Sequence, residues 1–270
     1  TNLDQCTFKW QVVDFSEPYE ANITSTIYKE GTLNGPNVNP VSQGILNLPF
    51  EESFKNHDVF ILTAIDPLGK EIDNWQWHLK SNKSVIADFI RPFSESASSS
   101  KTDSTISLSA SGMKVTFDKS SGYILSVKNE RAPELSFSHG PVLVSGTASV
   151  TSITQNETSN YKEVRFEYTG NLKYVNWRMH GNGWLEVQYE YSLEGDYSFA
   201  GISFNYPESR IISVKWFGKG PYRVWKNRPQ EDLGVYQKLW NNTHTGSTPW
   251  EYPEFKGYHA DVSWMEFNTV

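Results

Sequence analysis

Paired carboxylates come first, because a glycosidase needs two of them across a sugar ring, one as acid and one as base or nucleophile. The sequence offers Glu51 with Glu52, Glu186 with Glu190, Glu231 with Asp232, and Glu251 with Glu254. Glu186 and Glu190 fall on the polar side of an alternating run, where solvated carboxylates are the default. The other pairs stand in turn-like segments, so all four read as solvated surface rather than an acid–base site. The histidines His57, His78, His139, His180, His244 and His259 form no HExxH and no His-x-His cluster. Cys6 is the only cysteine, which excludes an intrachain disulfide and a cysteine-rich metal cage. No P-loop, G-x-G-x-x-G or G-x-S-x-G elbow is present. Gly218-Lys219-Gly220 precedes Pro221, whose missing N–H spoils a phosphate nest, so the glycines predict a tight turn. No cofactor is expected. A structural Ca²⁺ or Na⁺ would need turn oxygens that no EF-hand-like loop marks.

The residues best suited to a ligand run from Trp216 to Trp264. Trp216, Tyr222, Trp225, Trp240, Trp250, Tyr252, Tyr258 and Trp264 interleave there with Lys226, Asn227, Arg228, Asn241, Asn242 and His259. Sugars present apolar C–H faces that stack on rings, while their hydroxyls need amide or charged partners. Trp216 and Trp264, embedded in alternating strands, read as core, since buried rings contribute large area. The candidate carbohydrate-binding set is Trp225, Lys226, Asn227, Arg228, Trp240, Trp250, Tyr252, Tyr258 and His259. Loop packing is the competing role for each ring.

Strands must position these residues. Leu185, Val187, Tyr189 and Tyr191 alternate with Glu186, Gln188 and Glu190, the period of a half-buried antiparallel strand. Val164, Phe166 and Tyr168 repeat the pattern against Glu163, Arg165 and Glu167. So does Ile106–Phe117, broken by a turn at Ser111-Gly112. Val59–Ile65 is apolar on both sides, as a sandwich-core strand is. No amphipathic helix is expected, and Ser84–Arg91 reads as a last strand or a connecting arm. The fold class predicted is all-β. The small polar run near the middle of the chain marks a linker at 93–104. It separates an Ig-sized sandwich at 1–92 from a larger antiparallel sandwich at 105–270. Thr1 in place of Met, and a strand-like last segment, suggest a piece of a longer chain, truncated at its C-terminus.

The 270 residues carry a net charge of −7 and 14% aromatic content, with 10 Trp. That is a folded chain without the basic footprint of a nucleic-acid or anionic-lipid binder. No apolar run reaches membrane-span length, so no membrane insertion is expected. Sequons at Asn22, Asn82, Asn156 and Asn241 matter only on a eukaryotic secretory route.

Trp216-Phe217-Gly218-Lys219-Gly220-Pro221 resembles the W-x-G-x-G-P run in the last, large sandwich of family-2 glycoside hydrolases, the β-galactosidase group. Gly234-Val235-Tyr236 is similar to the G-x-Y that follows there. Pro253, Gly257 and Asp261-Val262-Ser263-Trp264 are similar to its P-x-E-N-G…D-V-R-W stretch. Val115–Gly122 resembles the strand and turn that open that sandwich. Phe8–Val13, Pro40–Pro49 and Leu62–Trp77 resemble the small Ig-like domain before it. The resemblance implies an Ig-like sandwich followed by a galactose mutarotase-like supersandwich, with the catalytic barrel and its glutamates N-terminal to both. Arg223 stands where the family often has Glu, Asn227 where it has Asp, and Ser263 where it has Arg. A divergent member acting on another glycan is implied, exported from a bacterium, with the missing barrel as partner.

The function expected is therefore a non-catalytic C-terminal region that supports the barrel and shapes its glycan site. An independent carbohydrate-binding module is the alternative. Aldose mutarotase chemistry, which needs a carboxylate facing a His across the sugar ring, is a further one.

Overall fold

The computed structural model describes residues 2–91, 96–130, 132–197, 200–222, 224, 230–240 and 259–270. The chain is all-β and antiparallel, with one α-helix among the described residues. β1 (Thr7–Phe15), β2 (Ser25–Asn34), β3 (Val59–Ile65) and β4 (Glu71–His78) form one sheet in the order β2-β1-β3-β4. α1 (Asn82–Phe89) follows. β5 (Ser98–Lys101), β6 (Thr105–Ala110), β7 (Met113–Asp118), β8 (Ile124–Asn129) and β9 (Ala132–Leu135) make a five-stranded meander. β10 (Ser138–Leu143) pairs with β15 (Ile202–Asn205). Between them, β11 (Ala148–Glu157), β12 (Tyr161–Gly170), β13 (Leu172–His180) and β14 (Leu185–Tyr191) form a second meander. β16 (Ile211–Gly220), β17 (Asp232–Leu239) and β18 (Trp264–Thr269) complete the chain as a sheet ordered β17-β16-β18.

Two compact units divide the molecule, Thr1–Val85 with Ser209–Val270, and Ile86–Glu208. Composition divides the chain differently, grouping the strands after 209 with residues 105–270. In the structure the sheet of β16–β18 lies in the first unit, where Phe217, Leu233 and Val235 join Val59 in one buried cluster, with Phe15, Ile61 and Trp264 against it. Gln76 on β4 fastens the start of β17 from both ends of its amide. Its Nε2 donates to Asp232 Oδ1 at 2.8 Å, and its Oε1 accepts from Leu233 N–H at 2.7 Å. The other face of the β1–β4 sheet carries Phe8, Trp10, Phe60 and Leu62, covered by Phe54 and by Leu46 and Leu48. That is why Val59–Ile65 is apolar on both sides.

The second unit is built on alternation. Val164 and Phe166 on β12 and Val175, Trp177 and Met179 on β13 point into one core with Leu108, Val115 and Phe117. The turn at Ser111-Gly112 is present, and both residues take positive φ, 44° and 75°. That is the conformation of a tight two-residue hairpin whose twist matches its strands.

Three expectations change. The segment expected as a linker, 93–104, contains β5, whose Ser98–Lys101 pairs with β6. Asn82–Phe89 is a helix rather than a strand or arm. Ser81 accepts from Ser84 N–H at its start, a serine cap that the β-rich surroundings obscured. Gly218 and Gly220 are not a turn but lie inside β16. A Cβ at Gly220 would sit 2.6 Å from the Tyr236 ring, and one at Gly218 2.9 Å from the Val262 backbone. Close approach, not chain reversal, requires glycine there.

Candidate functional site

β4 is an edge of its sheet, hydrogen-bonded to β3 on one side. Cross-strand register puts Trp75 opposite Leu62 and Trp77 opposite Phe60, so both indoles stand on the core face of the sheet. The core ends before it can cover them. Trp75 is 40% exposed and Trp77 46%, although Trp77 still touches Phe60 with centroids 6.2 Å apart. Asn74 and Gln76 alternate to the opposite face. A cavity of about 430 Å³ lies at this edge, with Asp73, Asn74, Trp75, Gln76 and Trp77 among its lining residues. The remaining wall comes from Lys219 near the end of β16 and from Gln230, Glu231 and Asp232 at the start of β17.

Several polar groups at the cavity are held by neighbours. Asp73 Oδ1 accepts from Asn74 N–H at 2.9 Å, and Asn74 Nδ2 donates to Glu71 at 3.2 Å. Gln76 is committed to β17. The Lys219 ammonium lies 3.3 Å from Asp261 Oδ2. Tyr236 donates its hydroxyl to the Asp232 carbonyl at 3.0 Å. Burial, then the Asp232 and Glu231 carboxylates, push that phenol up to about 12. Half-exposed rings and polar side chains in the residues of one cavity are what a ligand with apolar faces and polar edges requires.

A second polar arrangement occupies the face of the β11–β14 meander opposite its apolar core. Asn156, Glu163, Arg178 and Glu186 form one cross-strand row, each opposite the next. Glu163, 6% exposed, accepts from Arg178 Nε, from Asn176 at 2.9 Å and from Asn156 at 3.0 Å. Glu186 Oε2 lies 2.9 Å from His180 Nε2, and Glu186 Oε1 accepts from Gln188 at 2.8 Å. The expectation that Glu186 is solvated is corrected, because it is part of this network; Glu190 is exposed as expected. At 2.9 Å His180 and Glu186 satisfy each other and leave no room between them for a sugar ring.

Of the candidate set, Trp225, Lys226, Asn227, Arg228, Trp250, Tyr252 and Tyr258 lie outside the described residues. Trp240 follows β17 and meets Phe267 edge-on at 5.7 Å. His259 lies against the buried Trp216, ring centroids 4.3 Å apart. Arg228 precedes the cavity residue Gln230 by two positions in the chain. Sequence reasoning missed Trp75 and Trp77. Their signal was a Trp-x-Trp pair at strand spacing on the last strand of the first sheet. Among the described residues, no three His, Cys, Asp or Glu side chains are grouped to hold a metal ion, and no helix is long and apolar enough to cross a membrane.

Comparison of the chain with protein-family models and with curated proteins finds no match.

Proposed function

We propose that this chain is a non-catalytic, glycan-contacting region of a larger carbohydrate-active enzyme, and that the cavity at the β4 edge is where it contacts sugar. The observation that carries this reading is the exposure of Trp75 and Trp77, both among the residues that line a cavity of about 430 Å³. Two large rings left wet at a sheet edge are costly unless something covers them. A sugar face does so while its hydroxyls reach Asp73, Asn74 and Glu231. The similarity of Trp216–Pro221 and Asp261–Trp264 to family-2 glycoside hydrolases supports the same class. On that reading the catalytic barrel is the partner, export is the setting, and the enzyme's carboxylates lie elsewhere. The cavity wall comes from the chain's own residues, which favours direct binding by the isolated chain over a purely supporting role.

The test is calorimetric titration of the isolated chain with a panel of neutral, acidic and amino oligosaccharides. Saturable binding to one class is expected. Trp75→Ala and Trp77→Ala should each weaken it roughly 10- to 100-fold, as loss of about 1.5–3 kcal/mol of aromatic burial does. No binding at millimolar concentration to any class, or affinity unchanged in both variants, removes the assignment.

A further inference from the structure

The strand that carries Phe217 also carries a buried lysine. Lys215 on β16 is 4% exposed, and its ammonium lies 2.8 Å from Glu266 Oε2 on the facing strand β18. The same ammonium donates to the Glu20 carbonyl at 3.0 Å, and Glu266 Oε2 also accepts from the Tyr19 N–H at 2.9 Å. Tyr19 and Glu20 belong to the β1–β2 loop, residues 16–24, which lies with β16 and β18 in the first unit. One ion pair thus fastens the loop of one sheet to two strands of another.

Apolar burial contributes little to holding this loop, because residues 19–24 are all exposed. Its base is closed by Ser16, whose N–H donates to the Thr24 carbonyl at 3.0 Å. Tyr19 takes a φ of 70°, a left-handed conformation that costs a non-glycine residue energy and persists only where its surroundings impose it. The Glu266 carboxylate, by accepting from the Tyr19 N–H, helps impose it.

We infer that the β1–β2 loop is an acid-released strap, locked while Glu266 is ionised and freed when that carboxylate takes a proton. Protonation removes the counter-charge of Lys215, and a buried ammonium without one is strongly destabilising. Release of the loop lets water reach it. Among the described residues, the titratable groups facing Glu266 are Lys215 and the Tyr19 phenol, which is held protonated first by burial and then by the Glu266 charge. Burial raises the Glu266 carboxyl, but the bonds from Lys215 and the Tyr19 N–H outweigh it and hold the group below its ordinary value. A depressed carboxylate holds the strap above the unfolded value of about 4.3, and the hold is lost as pH falls through the lower folded value.

Hydrogen exchange of the full chain, read by mass spectrometry as protection relative to the intrinsic rate at each pH, tests the strap. Expected is at least a roughly 10-fold loss of protection in residues 16–24 between about pH 6 and pH 3, while β3 keeps its own. Glu266→Gln should show that loss already at about pH 6, where the parent's carboxylate is ionised. Lys215→Met combined with Glu266→Gln leaves no charge to hydrate, so its loop should stay closed at both ends of the range. Loop and β3 losing protection together on acidification would overturn the strap, because the opening would then be global unfolding. A Glu266→Gln loop as protected as the parent's, or a double variant as open as the single one, would overturn it too. If Glu266→Gln fails to fold, the parent's acid series decides alone.

Discussion

Trp216→Ala is expected to lower the unfolding free energy by about 3–5 kcal/mol, the range for truncating a fully enclosed tryptophan. Trp216 has no exposed surface and is the largest side chain so enclosed among the described residues. Its ring lies 5.7 Å from Tyr236 and 4.3 Å from His259, and its Nε1 donates to the Lys219 carbonyl at 3.1 Å. Removing it opens a cavity that the strand cannot close, because β16 is held by β17 and β18 on both edges. The lost indole N–H also leaves the Lys219 carbonyl without that donor. Urea denaturation followed by circular dichroism measures the loss. Leu68→Ala, at 92% exposed on a turn of the same unit, serves as control and should stay within about 0.5 kcal/mol. A Trp216→Ala loss no larger than the control's would mean that the ring is not part of the packing that holds this sheet.

Trp216 was also legible as core from the sequence, and it shows why some features can be read from a chain and others not. Where burial alternates along a strand, the pattern is written in adjacent residues, as in Val164, Phe166 and Tyr168 against Glu163, Arg165 and Glu167. The all-β class and the Ser111-Gly112 hairpin follow from such local signals. What failed was set by distant partners. Gly218 and Gly220 look like a turn until the Tyr236 ring and the Val262 backbone crowd them from other segments. Glu186 looks solvated until Arg178 and His180, on the neighbouring strand, take up its oxygens. The candidate site shows the same limit. Trp75 and Trp77 occupy positions that alternate like core, and only the ending of the sheet at β4 leaves them exposed. The region after Trp216 is ring-rich, yet composition does not say which rings reach a cavity.

The row through Glu163 leads to the other large expectation, which joins packing to pH. Burial alone would raise the Glu163 carboxyl, but hydrogen bonds from Arg178, Asn176 and Asn156 outweigh it and hold the group below its ordinary value. A depressed carboxylate stabilises the fold above the unfolded value of about 4.3, and that contribution is lost as pH falls through the lower folded value. Arg178→Met removes the counter-charge and keeps most of the side-chain volume. The side chains are 27% exposed for Arg178 and 7% for Glu163, so the cost lies between that of a surface pair and a fully buried one. A loss of about 2–3 kcal/mol at pH 7 is expected. In the variant, burial is no longer opposed by the guanidinium, so the Glu163 carboxyl moves up. A raised carboxyl destabilises the fold at neutral pH, and protonation relieves that cost as pH falls through the raised value. The deficit relative to the parent should therefore narrow between about pH 7 and pH 4. Glu163→Gln separates charge from shape, since its neutral amide cannot titrate and its deficit should widen where the parent's carboxylate is ionised. Urea denaturation of the three proteins at pH 7, 5 and 4 decides the matter. A deficit for Arg178→Met that stays constant across that range would show that Arg178 contributes by packing over Tyr161, its guanidinium carbon 5.2 Å from that ring, and not by charge.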